Sequence, residues 1–223
     1  MYPTIAKLFR PALALTMALG LSACAAIDTT SRNAPLEAPL TAPEAGSFAP
    51  GQLSDFKVVQ ISVNVPNSLR VSEANRYYPS GDIVWREDPL GDRYAQVKAI
   101  MEAGLARGAD RLNGTRPVIM QVMVTRFHAL TEKARYTIGG VHAIQFYMTV
   151  IDATTGETLI PSKLIKADFD GLGGSAAIAA EARGVTQKVR ITDQLAKVIQ
   201  DELSRPEGYV AQTNGVIGVI NQL

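Results

Sequence analysis

Val118-Ile-Met-Gln-Val-Met-Val-Thr-Arg-Phe127 and, beyond Gly139-Gly140, Val141-His-Ala-Ile-Gln-Phe-Tyr-Met-Thr-Val-Ile-Asp152-Ala-Thr-Thr-Gly156 form the stretch from which the fold is read. Both runs are rich in β-branched and aromatic residues, which suit a pleated, half-buried surface. In the first, Val118, Met120, Val122 and Val124 point one way, and Ile119, Met123 and Phe127 the other. Two apolar faces predict a central strand covered, at least in part, on both sides. In the second run Ile144, Phe146, Met148 and Val150 share a face. The segment 131–140 is then a hairpin connection. Asp152 to Gly156 is a tight turn in which glycine supplies a positive φ. A third strand follows from Leu159 to Phe169, interrupted near Pro161.

Upstream, Val59, Ile61, Val63 and Val65 alternate with Gln60, Ser62 and Asn64, a strand that Pro66 ends. A long connection over 67–88 carries Tyr77, Tyr78, Trp85, Arg86 and Asp88. Asp92 has the character of a helix N-cap, and Val97, Ile100, Met101 and Leu105 fall at helical spacing behind it. Downstream, Gly171, Gly173 and Gly174 open an alanine-rich stretch that is partly helical in character. Val185 to Leu203 carries an apolar stripe of Val185, Val189, Leu195, Val198, Ile199 and Leu203. The order is β-α-β-β-β-α. This predicts an α+β domain over 56–205: a mostly antiparallel four-stranded sheet with two amphipathic helices packed on one face. A tail, 206–223, closes the chain with Val216-Ile217-Gly-Val219-Ile220.

The first residues read differently. Lys7 and Arg10 precede an apolar run from Pro11 to Leu21, too short to span a bilayer core, and small residues follow. That is the layout of a secretory signal. Leu21-Ser22-Ala23-Cys24 resembles the lipobox of bacterial lipoproteins, in which diacylglycerol is joined to the cysteine and the chain is cut before it. The resemblance implies removal of 1–23 as a signal peptide, lipid on Cys24, and recognition of Leu21, Ser22 and Ala23 by the processing enzymes. Ala25, rather than aspartate, after the cysteine points to the outer more than the inner membrane. Residues 24–55, with prolines at 35, 39, 43 and 50, form a semi-extended tether.

Composition narrows the function. The chain has 22 basic and 21 acidic side chains, with no basic stripe interleaved by aromatics, which argues against nucleic acid as a partner. Cys24 is the one cysteine, so the exported domain has no disulfide and no thiolate chemistry. His128 and His142 flank the hairpin connection and could approach each other, but two histidines without a third ligand make a poor metal site. Gly171-Leu-Gly-Gly-Ser175 lacks the lysine of a phosphate-binding loop. Asp168 and Asp170 mark a solvated strand end. No cofactor, metal or catalytic residue is expected, and the chain reads as a non-enzyme.

The long connection is the place to look for a contact, since long loops in compact domains are often functional. Tyr78, Trp85 and Arg86 are the candidate partner contacts there. Trp85-Arg-Glu-Asp-Pro89-Leu90, leading into the first helix, resembles the helix entry of auxiliary lipoproteins of ABC-type lipid transporters. The overall order is also similar to the lipopolysaccharide-assembly lipoprotein. Trp85 to Asp92, Phe127-His-Ala-Leu-Thr131 and Asp152-Ala-Thr-Thr-Gly156 resemble an uncharacterised family of proteobacterial lipoproteins over 54–205. These resemblances imply a lipid-anchored, periplasm-facing protein with a structural, interaction or transport-auxiliary role and an envelope protein as partner. A lipid- or glycan-binding module, with an apolar groove between helices and sheet, is the alternative.

Overall fold

A computed structural model describes residues 55–211. Leu21, Ser22, Ala23, Cys24, the tether and the apolar end of the tail lie outside the described residues. The elements are β1 (Phe56–Asn64), β2 (Ile83–Val84), α1 (Arg93–Ala109), β3 (Arg116–His128), α2 (Glu132–Arg135), β4 (Gly140–Asp152), β5 (Thr158–Lys166), β6 (Phe169–Gly171), α3 (Gly174–Glu181) and α4 (Gln187–Ser204).

The sheet has six strands, not the four expected, in the order β1-β3-β4-β5, with β2 on β3 and β6 on β4. It is mixed. β3 pairs antiparallel with β4, as does β4 with β5, whereas β1 and β2 run parallel to β3. A parallel pair needs a long crossover, and α1 provides it between β1 and β3. The additions to the expected order are short: β2, β6, α2 and α3. β2, β6 and α2, of two, three and four residues, carry too little periodicity to register in sequence, whereas the eight-residue α3 falls in the alanine-rich stretch read as partly helical.

Local signals set the helix ends. Asp92 caps α1, its carboxylate accepting from Ala95 N. Thr186 does the same for α4 through Val189 N. α1 and α4 pack closely because α1 offers Gly104 and Gly108 at the contact. A methyl at Gly108 would stand 2.5 Å from Ala196 O. The core between helices and sheet is filled by Met101, Leu105, Met120, Met148, Leu195 and Ile199, all fully buried. Beyond α4 the chain still packs: Gln194 Nε2 donates to Tyr209 Oη at 2.9 Å and Tyr209 N donates to Glu202 Oε2 at 2.7 Å. The first part of the expected tail is therefore joined to the domain.

The reading of β3 as a strand covered on both sides is corrected. Val118, Met120, Val122 and Val124 are buried against the helices, but Met123 on the reverse face is 42 % exposed.

Candidate functional site

Of the three expected partner contacts, one faces out. Trp85 is fully buried, edge-on to Phe127 with ring centroids 5.9 Å apart, and its Nε1 donates to Asp88 Oδ2 at 2.8 Å. Lys188 Nζ from α4 pairs with the same carboxylate at 2.8 Å. Trp85 is thus an anchor of the core, a correction to its expected role at the surface. The indole is too large and apolar to leave in water when a ring pocket and an acceptor lie within reach. Arg86 is engaged in ion pairs, Nε donating to Glu132 Oε2 at 2.6 Å with Glu73 also close. Arg93 forks onto Glu73, which holds the Glu73 carboxyl below its usual range. This ionic web staples the long connection to α1 and α2. Tyr78, in contrast, is 75 % exposed.

The two histidines do not meet. In the β3–β4 register His128 lies opposite Ala143, so His142 belongs to the other face of the sheet. His128 Nε2 donates to Pro79 O at 2.9 Å, and burial holds its pKa down. His142 is enclosed beside Phe169, ring centroids 4.7 Å apart.

The reverse face of the sheet presents a surface that sequence reasoning missed. Met123, Tyr147 and Leu164 are in register across β3, β4 and β5, with Tyr147 38 % and Leu164 39 % exposed. The next row is Arg126, Gln145 and Lys166. Gln145 Nε2 donates to Asp168 Oδ2 at 3.3 Å, and burial holds that carboxyl above its usual range. A β-bulge between Val124 and Arg126 places Arg126 on this face while Val124 and Phe127 remain in the core. The row after that, His128 and Ala143, floors a cleft of about 130 Å³ walled by Tyr77, Tyr78, Arg126 and Ile138.

Chemically the cleft and the row offer apolar and aromatic contact beside two cations. They offer no nucleophile held by a base. His128 Nε2 is committed to Pro79 O, and the neighbouring hydroxyl, Thr131 Oγ1, donates to Arg76 O at 2.8 Å. The signal for this face was present in β4, where Gln145 and Thr149 alternate with the buried Phe146 and Met148. Polar neighbours on either side of Tyr147 mark a surface that is not buried.

Residues 56–219 match the model of a family described as of unknown function (DUF6778). No curated protein matches the chain. Solved structures with similarity include a Caulobacter crescentus protein described as a lipoprotein, 15 % identical, TM-score 0.31, covering 68 % of this chain and 89 % of that one. A PelC dodecamer from Paraburkholderia phytofirmans is 14 % identical, TM-score 0.33, covering 69 % and 90 %. A Xanthomonas campestris protein of family DUF330 is 9 % identical, TM-score 0.39, covering 74 % and 87 %.

Proposed function

The chain belongs to the DUF6778 family of unknown function, and on that premise we propose that it is a non-enzymatic, lipid-anchored protein of the bacterial envelope that docks an envelope protein on the open face of its sheet. The observation that carries this reading is Leu21-Ser22-Ala23-Cys24 at the end of a short apolar run. No helix among the described residues is long and apolar enough to cross a membrane. Anchoring in this reading falls to acyl chains on Cys24, two or more of which hold a protein stably at a membrane. The domain faces the periplasm, with the outer membrane favoured by Ala25. The anchor confines the domain to a surface and so raises its effective concentration for a membrane-bound partner. Met123, Tyr147 and Leu164 supply apolar contact to that partner, with Arg126 and Tyr78 at the rim.

Two measurements test this. Cys24→Ser should accumulate an unprocessed precursor that takes up no radiolabelled palmitate; unchanged processing and labelling in that variant would refute the anchor. A photo-crosslinking residue at Tyr147 should capture an envelope protein that the same residue at Lys98, on the exposed side of α1, does not. Equal capture from both positions, or capture of bulk lipid alone, refutes the docking face. Loading of a lipid or glycan into the cleft beside Arg126, seen by native mass spectrometry, would favour the binding-module alternative.

A further inference from the structure

Past α4 the chain returns to the edge of the sheet. Gly208, at φ +71°, stands against Lys163 of β5: a methyl there would lie 2.9 Å from Lys163 Nζ. Lys163 Nζ pairs with Glu202 Oε1 at 2.7 Å, and the other oxygen of that carboxylate accepts from Tyr209 N. Val210 and Ala211, which follow, are exposed.

β5 ends the strand order on this side and pairs with β4 alone. Ala167 N donates to Ile144 O at 2.8 Å. In the β4–β5 register Lys163 and Ile165 therefore also turn toward β4, and Leu164 and Lys166 turn their N–H and C=O groups outward. An edge of this kind invites a further strand unless something blocks it. Pro161, at the register shift opposite Met148 and Val150, guards the first half of β5. Beyond it the edge is open, and Lys163 is neutralised by Glu202. Its side chains are apolar on both faces, with Ile165 buried on the helix side and Leu164 exposed at the end of the Met123–Tyr147 row.

The sequence supplies a matching strand. Val216-Ile217-Gly-Val219-Ile220 places β-branched residues on both faces of an extended chain and follows Asn214-Gly215, a turn pair. It lies outside the described residues, and the family match takes it in up to 219. The chain from Gly208 to Val216 can reach up to about 26 Å, more than the roughly 17 Å that five residues of strand occupy. The opposite edge, β1, lies three strands away and is interrupted by a register shift between Val58 and Gln60.

We infer that residues 216–220 of the same chain pair with the outer edge of β5 along 164–166 as a further strand. A segment tethered this closely meets the edge at an effective concentration of about millimolar, which favours it over a separate chain. The pairing satisfies the outward amides and carbonyls of Leu164 and Lys166, gives the apolar tail a surface to cover, and closes the edge to foreign strands. It stands whether or not Cys24 is acylated or the open face docks a partner.

The test uses the full chain carrying Cys24→Ser, in which one introduced cysteine is the only thiol. A nitroxide on Ser162→Cys should broaden the amide signals of residues 216–220, and a nitroxide on Lys57→Cys, in β1, should not. When nitroxide-bearing unlabelled protein is mixed with 15N-labelled protein lacking the nitroxide, the broadening should vanish. The Leu164 and Lys166 amides should exchange with solvent about fivefold or more slowly in the full chain than in one ending at Ala211, the scale of one net hydrogen bond. Val216→Pro combined with Val219→Pro, which removes a donor from each side of the added strand, should exchange like the shortened chain. Unchanged exchange at Met148 in all three shows that the domain stays folded. The inference is overturned if shortening leaves the Leu164 and Lys166 amides unaffected, or if the Ser162 label leaves the tail signals sharp. Broadening that persists in the mixture assigns the edge to a second copy and overturns it as well.

Discussion

Lowering the pH from 7 to 5 should destabilise this domain through His142, and replacing that residue should remove the effect. The imidazole is 1 % exposed, has an unpartnered Nδ1, and sits near two arginines, so its pKa falls from 6.5 to about 3. The unfolded chain binds a proton near pH 6.5 that the folded chain refuses until near pH 3. The unfolded state is therefore the better proton binder throughout that window, and stability falls as pH falls. Above pH 6.5 there is no penalty. Below it, each pH unit costs about 1.4 kcal/mol, so the loss by pH 5 is about 2 kcal/mol. That is a large share of the roughly 5–15 kcal/mol that holds a domain together. His128, whose pKa is also lowered by burial, adds in the same direction, so the comparison must isolate His142. His142→Leu does so: it keeps an apolar contact with Phe169 and discards the orphaned nitrogen, leaving stability at pH 7 near that of the parent. Urea unfolding of both proteins at pH 7, 6 and 5, with matching m-values, reads the difference. Parallel pH profiles for parent and variant would refute the reasoning.

Four further outcomes follow from the geometry. Trp85→Ala should cost about 3–5 kcal/mol, because it empties a fully buried ring site and takes one hydrogen bond from Asp88; a loss under about 1 kcal/mol in urea melts would show the indole to be peripheral. Gly108→Ala should destabilise by about 1–3 kcal/mol, since its methyl meets Ala196 O on α4; an unchanged midpoint would mean that the helix pair yields freely. Asp152, held down to about 2 chiefly by Arg116 and then by the Thr155 and Thr154 amides, should contribute stability that disappears as pH falls from 4 to 2. Asp152→Asn should flatten that acid limb, and an unaltered limb would count against the pairing. Tyr147→Asp should leave the thermal midpoint nearly unchanged while abolishing crosslinks from the open face; persistence of those crosslinks would place the docking surface elsewhere.

Much of this architecture was written into local sequence. Asp92 sits ahead of apolar residues at helical spacing and becomes an N-cap because a side-chain oxygen placed there satisfies an otherwise unpaired helical amide. α4, in contrast, starts two residues later than the expected Val185, capped by Thr186, and leaves Val185 and Val189 more than a third exposed. The alternation through Val118–Val124 and Ile144–Val150 set the buried face of β3 and β4, since a strand's side chains reverse at every residue. The Asp152–Gly156 turn was equally local: Gly156 has φ +77°, and Asp152 Oδ1 accepts from Thr154 N at 2.8 Å. Three other properties needed the tertiary structure. The fate of Trp85 depends on Phe127, forty-two positions along the chain but in ring contact, and on Lys188 beyond it, which pairs with the indole's acceptor. The openness of the Met123–Tyr147–Leu164 row depends on which elements return to cover a face, and periodicity within one strand carries no information about that. The isolation of His142 depends on a one-residue offset from His128 across two paired strands, which sends the two rings to opposite sides of the sheet. Spacing and capping act over a few residues and so can be read in order along the chain; burial and pairing are settled by segments that meet only when the whole domain closes.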